Sequence, residues 1–371
     1  MKKNIYIYLT AFLLIFLVCT NNHLTIKEAI NNGYSDIKSY LHIANHQEYN
    51  SQEYYPFHHL ERWPIHKLVG FLSRISKAKI HKTYQFSIFF VAFIFILSIQ
   101  NMNVSNYHKV AILTLILYHP YLFRLYLTIP EMIADASFML GTLLFINSIH
   151  KKYLLIISIF IMSLSRQTSL LIIPVCITLM LFKKMPRKNV ILTCALIIII
   201  NAVMKLFTQS LFPENPDNGY IYDQIFNGWS FNDDLVDRIT NFIPRYLYLL
   251  FTLIPIFIFN NDINFFKKNL PFFLAFLIFN AQPLIMGPMI TGGNIQRLSA
   301  LGIPFLIPVL IKQKLNKEWL AFFILFFVAL SMHHNFSFIF ELHHKRLVYL
   351  IIVLATFLIS FTYVLIKKNE K

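Results

Sequence analysis

Runs of apolar residues long enough to cross a bilayer recur along almost the whole chain, and no other feature restricts its fold as strongly. They cover approximately 4–20, 84–100, 109–127, 132–149, 190–211, 244–260, 270–287, 298–311, 319–335 and 346–366, with a longer run at 154–182. A membrane's hydrocarbon core takes roughly 17 to 25 residues of helix per crossing. Inside it the backbone must satisfy its own hydrogen bonds, so runs of this length read as helices. Of the 371 residues 57% are hydrophobic and 13% charged, where soluble chains carry about a quarter charged; no large soluble domain fits in what remains. The chain reads as a single polytopic membrane domain over 1–371, all-α.

The run at 154–182 is too long for one ordinary crossing, and Ser163–Ser169 interrupts its middle with Arg166 and several hydroxyls. It is expected to form two short helices in a hairpin, which brings the count to about twelve transmembrane helices, within a range of roughly ten to thirteen. The N-terminus is basic and then apolar, but no small-residue cleavage site follows it, so a retained first helix is expected. Cys19, Cys176 and Cys194 all fall in apolar runs without metal-site or disulfide spacing.

Charge sorting orients the helices. With Lys2 and Lys3 inside, the connections at Lys109, Lys151–Lys152, Lys183–Lys188, Lys267–Lys268, Lys312–Lys317 and the Lys367–Lys371 tail all fall on the cytoplasmic side. These hold seventeen of the 33 Lys and Arg but three of the 17 Asp and Glu, and so account for most of the formal charge of +16. That excess is an orientation signal and not a nucleic-acid footprint. Eight of nine arginines and fourteen carboxylates lie on the outer side instead. Arginine grips phosphate and carboxylate through a planar fork, and carboxylates serve as general bases. The expectation is a polar, outward-facing site for an anionic group.

Three segments face outward: 21–83, 212–243 and 336–345. In the first, Ile37, Tyr40, Leu41 and Ala44 repeat at helical spacing behind Ser35 and Asp36, and Trp63, Ile65, Leu68, Val69, Leu72 and Ile75 do so again. Two amphipathic helices lying on the membrane surface are expected there. The second segment is acidic and rich in turn formers, as suits a lid, with Tyr220 and Trp229 on it facing an acceptor.

Four stretches supply candidate chemistry. Asp36 opens the first interfacial helix, and Glu61, Arg62 and Lys67 surround the start of the second. Arg124 precedes a proline break, after which Glu131 and Asp135 stand at i,i+4. Arg166 lies in mid-membrane, where an arginine costs about 2.5–3.5 kcal/mol and so calls for a cavity and a partner. Arg297 follows Gly292 and Gly293, which would let backbone approach a ligand closely. Structural duties suit the same residues: Asp36 as a helix cap, Glu131 and Asp135 as partners of Arg124, Arg297 as a snorkelling anchor. The adjacent histidines His58–His59, His333–His334 and His343–His344 lack the spacing of a metal site, and none is assigned.

On these residues the chain resembles the GT-C superfamily of membrane glycosyltransferases. GYSDIKSYLHIA resembles the first-loop helix that bears that family's catalytic aspartate, and YYPFHHLERWPIHKL the proline/arginine segment after it. SRQTSLLIIP is similar to the short arginine segment before a buried helix, and GGNIQRLSALGIP to the late glycine-rich turn with its arginine. Gln167 and Asn294 stand where carboxylates would be expected. The resemblance implies a polyprenyl-phosphate-sugar donor, a glycan, lipid or protein acceptor, and an inverting transfer on the outer face of a bacterial inner membrane, with both termini cytoplasmic. Asp36, or else Glu131 or Asp135, would be the base; Arg62, Arg124, Arg166, Arg297 and Lys67 would hold the donor phosphate, and Glu61 would face the acceptor. It implies no cofactor, and a divalent cation is not indicated. Rival readings are a lipid-linked oligosaccharide flippase or exporter, a polysaccharide polymerase or ligase, and a non-catalytic member of the superfamily.

Overall fold

The computed structural model describes residues 36–45, 55–119, 121–214, 251–258, 263–291 and 295–335, together with single positions at 239, 242, 243, 246, 354 and 358. Every regular element among them is helical. In chain order these include α1 (Asp36–Asn45), α2 (Trp63–Ser76), α3 (Ile80–Gln100), α4 (Asn106–Tyr118), α5 (Phe123–Thr128), α6 (Ile133–Asn147) and α7 (Lys152–Ser165). There follow α8 (Ile172–Leu181), α9 (Arg187–Leu211), α10 (Ile263–Thr291), α11 (Ile295–Ala300) and α12 (Lys317–Asn335). Three are long and apolar enough to cross a membrane: α3, α9 and the part of α10 over Ile263–Gly287. α10 breaks at Gly287, whose φ of 71° suits glycine. The expected spans at 4–20 and 346–366 lie outside the described elements.

Two expected spans are broken, and proline accounts for both. The run at 109–127 divides into α4 and α5, because α4 stops at His119 with ψ 126°, the extended conformation imposed by a following proline. The run at 298–311 is a short helix, a 3₁₀ turn (Ile303–Leu306) and a further helical turn (Ile307–Ile311), with Pro304 and Pro308 inside.

The run at 154–182 forms α7 and α8, joined by a 3₁₀ turn at Gln167–Leu171. α9 packs along both, and the Asn189 side chain at its start donates to the Ile149 carbonyl at 2.7 Å, so the chain has returned to the level of the α6–α7 turn. At that same end His108 Nε2 lies 3.0 Å from the Gln313 carbonyl, and Lys312 donates to Asn269 Oδ1 at 2.9 Å. Burial and then the nearby Lys184 and Lys268 lower the Lys312 pKa. The lysine-rich turns after α8 and α11 and at the start of α10 therefore share one end of the bundle.

The opposite end is built by close approaches. A Cβ on Gly70 of α2 would fall on the backbone carbonyl of Ala44, so α1 nests against α2. Below them Phe138 of α6, Phe279 of α10 and Phe305 form an aromatic column with centroids 6.0 and 5.6 Å apart, and Gly302 fits against Phe279. This column ties the 3₁₀ turn after α11 to α6 and α10. α2 leaves Leu68, Phe71, Leu72 and Ile75 exposed as an apolar stripe, as an interfacial helix would. α1 departs from the surface placement expected of it: of Asp36–Ala44 only Lys38 is exposed, because the missing side chain at Gly70 lets the helix sink between its neighbours.

Gly70→Ala should therefore lower stability by about 1–3 kcal/mol, the usual range for overpacking; unfolding of the purified protein in detergent measures it, and an unchanged midpoint would contradict the close packing of α1 on α2.

Candidate active site

Five buried charges meet at the end of the bundle opposite the lysines. Asp36 opens α1, and its side chain faces inward because Ile37, Tyr40 and Leu41 bury the flanks of that helix. Asp135 is in the first turn of α6. Arg166 sits where α7 ends, at φ −157° and ψ 143°; this extended residue breaks the helix and lets the chain turn into the 3₁₀ segment. Arg297 is on α11 and Arg62 caps the start of α2. Relative exposures are 7% for Asp36, 1% for Asp135, 3% for Arg166, 5% for Arg297 and 3% for Arg62.

Arg297 joins the two carboxylates. Its Nη2 donates to Asp36 Oδ2 at 2.9 Å and its Nε lies 2.7 Å from Asp135 Oδ2. Asp135 Oδ1 pairs with Arg166. Arg62 donates to the Tyr40 hydroxyl, which lies 3.5 Å from Asp36 Oδ2. Among the described residues Arg62 pairs with no carboxylate. Three guanidiniums against two carboxylates leave one uncompensated positive charge, and a buried uncompensated charge is costly unless an anion meets it.

Histidines surround Asp36. His59 Nε2 is 3.6 Å from Asp36 Oδ1, and its Nδ1 is 3.1 Å from Ser39 Oγ. Burial would raise the Asp36 carboxyl, but Arg297, then His59 and Arg62, outweigh it and hold the group well below the usual carboxylate range. Burial lowers His59 to about 4, with Asp36 opposing in part. His66 falls to about 3 and His58 to about 2, again chiefly through burial. These rings are therefore neutral near pH 7 and add no charge to the cluster.

The other candidates lie elsewhere. Glu131 and Asp135 do not share a helical face: Pro130–Met132 is a 3₁₀ turn ahead of α6, started by proline, and Glu131 instead meets His81 Nδ1 at 2.6 Å. Arg124 is buried in α5, and no described ion pair joins it to Glu131 or Asp135. Lys67 lies over the rings of Trp63 and Phe212, at 5.7 Å from each, where its charge covers aromatic faces outside the cluster. Glu61 accepts a hydrogen bond from the Gln167 amide, which also donates to the His58 carbonyl at 2.8 Å. Gln167 thus ties the hairpin turn to the segment carrying Arg62. Tyr220, Trp229 and Asn294 lie outside the described residues.

Sequence reasoning passed over Tyr40 and His59. The sequence pattern counts Tyr40 only among the apolar positions of an amphipathic surface helix, although it stands one turn after Asp36 and reaches the same face. The histidine pair was weighed only for metal binding, whereas one of its rings serves as a neutral neighbour to a carboxylate. Both carboxylates of the cluster are committed to arginine, and no group of three or more His, Cys, Asp or Glu among the described residues is arranged to hold a metal.

No family model, curated protein or solved structure matches this chain. Among the described residues every regular element is helical and three helices suit a membrane, with a buried, arginine-dominated charge cluster at one end.

The histidine shifts carry a sign. A folded pKa below the ordinary value of about 6.5 means that the unfolded chain binds more protons between the two. The stabilisation is thus complete above pH 6.5 and is lost as pH falls toward about 4 for His59 and about 3 for His66. Unfolding midpoints in detergent should fall steadily from pH 7 to pH 4, and His66→Gln should flatten the slope; a profile flat over that range would contradict neutral buried rings.

Proposed function

We propose that this protein is a membrane glycosyltransferase that takes a sugar from a polyprenyl-phosphate donor and transfers it, with inversion, to an acceptor hydroxyl. In this reading it spans a bacterial inner membrane about twelve times, with the lysine-rich end cytoplasmic and the charge cluster at the outer face. The observation that carries the reading is Arg62, a buried guanidinium in a cluster of three arginines and two aspartates, which pairs with no carboxylate among the described residues. A phosphodiester brings the one negative charge that this arrangement lacks, and guanidinium binds it in a planar, two-point manner.

The reaction follows from the positions. The acceptor hydroxyl gives its proton to the Asp36 carboxylate as its oxygen forms a bond to the anomeric carbon. The bond from that carbon to the phosphate oxygen breaks, and the electron pair leaves with the polyprenyl phosphate. Charge grows on the leaving phosphate, and Arg62 and Arg297 stabilise it in a site from which water is largely excluded. Arg166 and Asp135 hold Arg297 in place from behind. A carrier would favour charges threaded through the membrane on broken helices of two related halves, whereas here five of the described buried charges, Asp36, Asp135, Arg62, Arg166 and Arg297, gather at one end.

Asp36→Asn should lower sugar transfer from a polyprenyl-phosphate donor by about 10²–10⁴-fold, the range of a lost general base; near-wild-type turnover would remove Asp36 from that role. Arg62→Ala should raise KM and lower kcat together, with a loss of about a hundredfold in kcat/KM, measured with the same donor in proteoliposomes.

A further inference from the structure

The ion pair that positions Asp36 also disarms it. A carboxylate held 2.9 Å from a buried guanidinium attracts protons poorly, and a general base must accept one. Something has to loosen that contact before the acceptor is deprotonated. The geometry supplies a route. Arg297 meets the two aspartates through different nitrogens: Nη2 hydrogen-bonds Asp36, and Nε makes an ion-pair contact with Asp135 without hydrogen-bond geometry. Asp135 is held from its other side by Arg166, so it forms a fixed pivot. The guanidinium can shift its Nη edge and keep the Nε contact. Asp36 would not lose its place: the Tyr40 hydroxyl lies 3.5 Å from one oxygen and His59 3.6 Å from the other.

We infer that Arg297 is a switch shared between Asp36 and the donor's phosphate, so that donor binding draws Arg297 away and releases Asp36 to act as base. This rests on the proposed transferase reading. In the free protein Arg62 is the waiting half of the phosphate site and Arg297 the half occupied by an internal anion. When the phosphate binds between them, Arg297 exchanges one anionic partner for another; the cluster as a whole becomes neutral, and Asp36 keeps Tyr40 and His59 as its neighbours. The arrangement imposes an order, donor before deprotonation. It also suppresses proton abstraction when no sugar is present to receive the attack.

Competition for one guanidinium makes the inference testable by binding. Asp36→Asn keeps the shape of the side chain and removes the competing charge, so Arg297 no longer has to leave a carboxylate. The full-length variant should bind a polyprenyl monophosphate about tenfold tighter than the wild type, although its sugar transfer is about 10²–10⁴-fold slower. In an Arg297→Ala background the same Asp36→Asn change should bring no gain. Equal affinity of wild type and Asp36→Asn, or a gain that persists without Arg297, would overturn the switch alone. If wild type and variant both fail to bind polyprenyl monophosphate, the donor reading falls and the switch with it. The wild-type protein gives a second measurement that does not depend on any variant folding. The acid limb of kcat against pH reports the base with donor bound, and that of kcat/KM the free protein. The switch places the kcat limb at higher pH; coincident limbs would contradict it.

Discussion

Arg297 bridging Asp36 and Asp135 is the contact on which the rest of the structure depends. It ties a helix from the first long connection to the start of α6 and, through Asp135, to the break after α7. Burying five charged groups costs far more than a surface ion pair would return, and it is tolerated only where each charge finds a partner. Removing one partner of such a set typically costs about 3–5 kcal/mol, because the other is left buried and alone. The fold meets this condition for four of the five groups. Among the described residues Arg62 is the fifth, and its guanidinium donates to the Tyr40 hydroxyl.

The bundle separates two tasks by end. Lys184, Lys268 and Lys312 come together at one end. Arg62, Arg166 and Arg297 meet at the other end, where burial and the rigid fork of the guanidinium make each contact directional. A close-packed aromatic column between α6, α10 and Phe305 lies between the two, so the cluster is held by a core that resists deformation. Glycine contributes at three contacts, Gly70, Gly141 and Gly302, in each case because a backbone or side-chain atom of a neighbouring segment occupies the space a Cβ would need.

The helical fold could be read from residue order because long apolar runs are a signal that a single chain carries openly. The hairpin around Arg166 was visible as a charge inside a long apolar run, and Asp36, Asp135, Arg62 and Arg297 were visible as charges flanking helices. Other features depend on distances between segments far apart in the chain. Nothing in the spacing of Glu131 and Asp135 reveals that a 3₁₀ turn sends one to His81 and the other to Arg166. The burial of α1 turns on a single missing Cβ in α2, which an amphipathic pattern does not register. Gln167 stands where a carboxylate was expected, yet it forms a structural tie to Glu61 and the His58 carbonyl, a role that depends on residues more than a hundred positions away.

The central claim is that this cluster is an anion site completed by a lipid-linked phosphate. The position of the phosphorus in a cryo-electron-microscopy map of the full-length protein, reconstituted in nanodiscs with a polyprenyl monophosphate, tests it most directly. The account predicts the phosphate between Arg62 and Arg297, with each guanidinium hydrogen-bonded to it. A phosphate bound elsewhere, with Arg297 still on Asp36 and Arg62 still on Tyr40 alone, would contradict it.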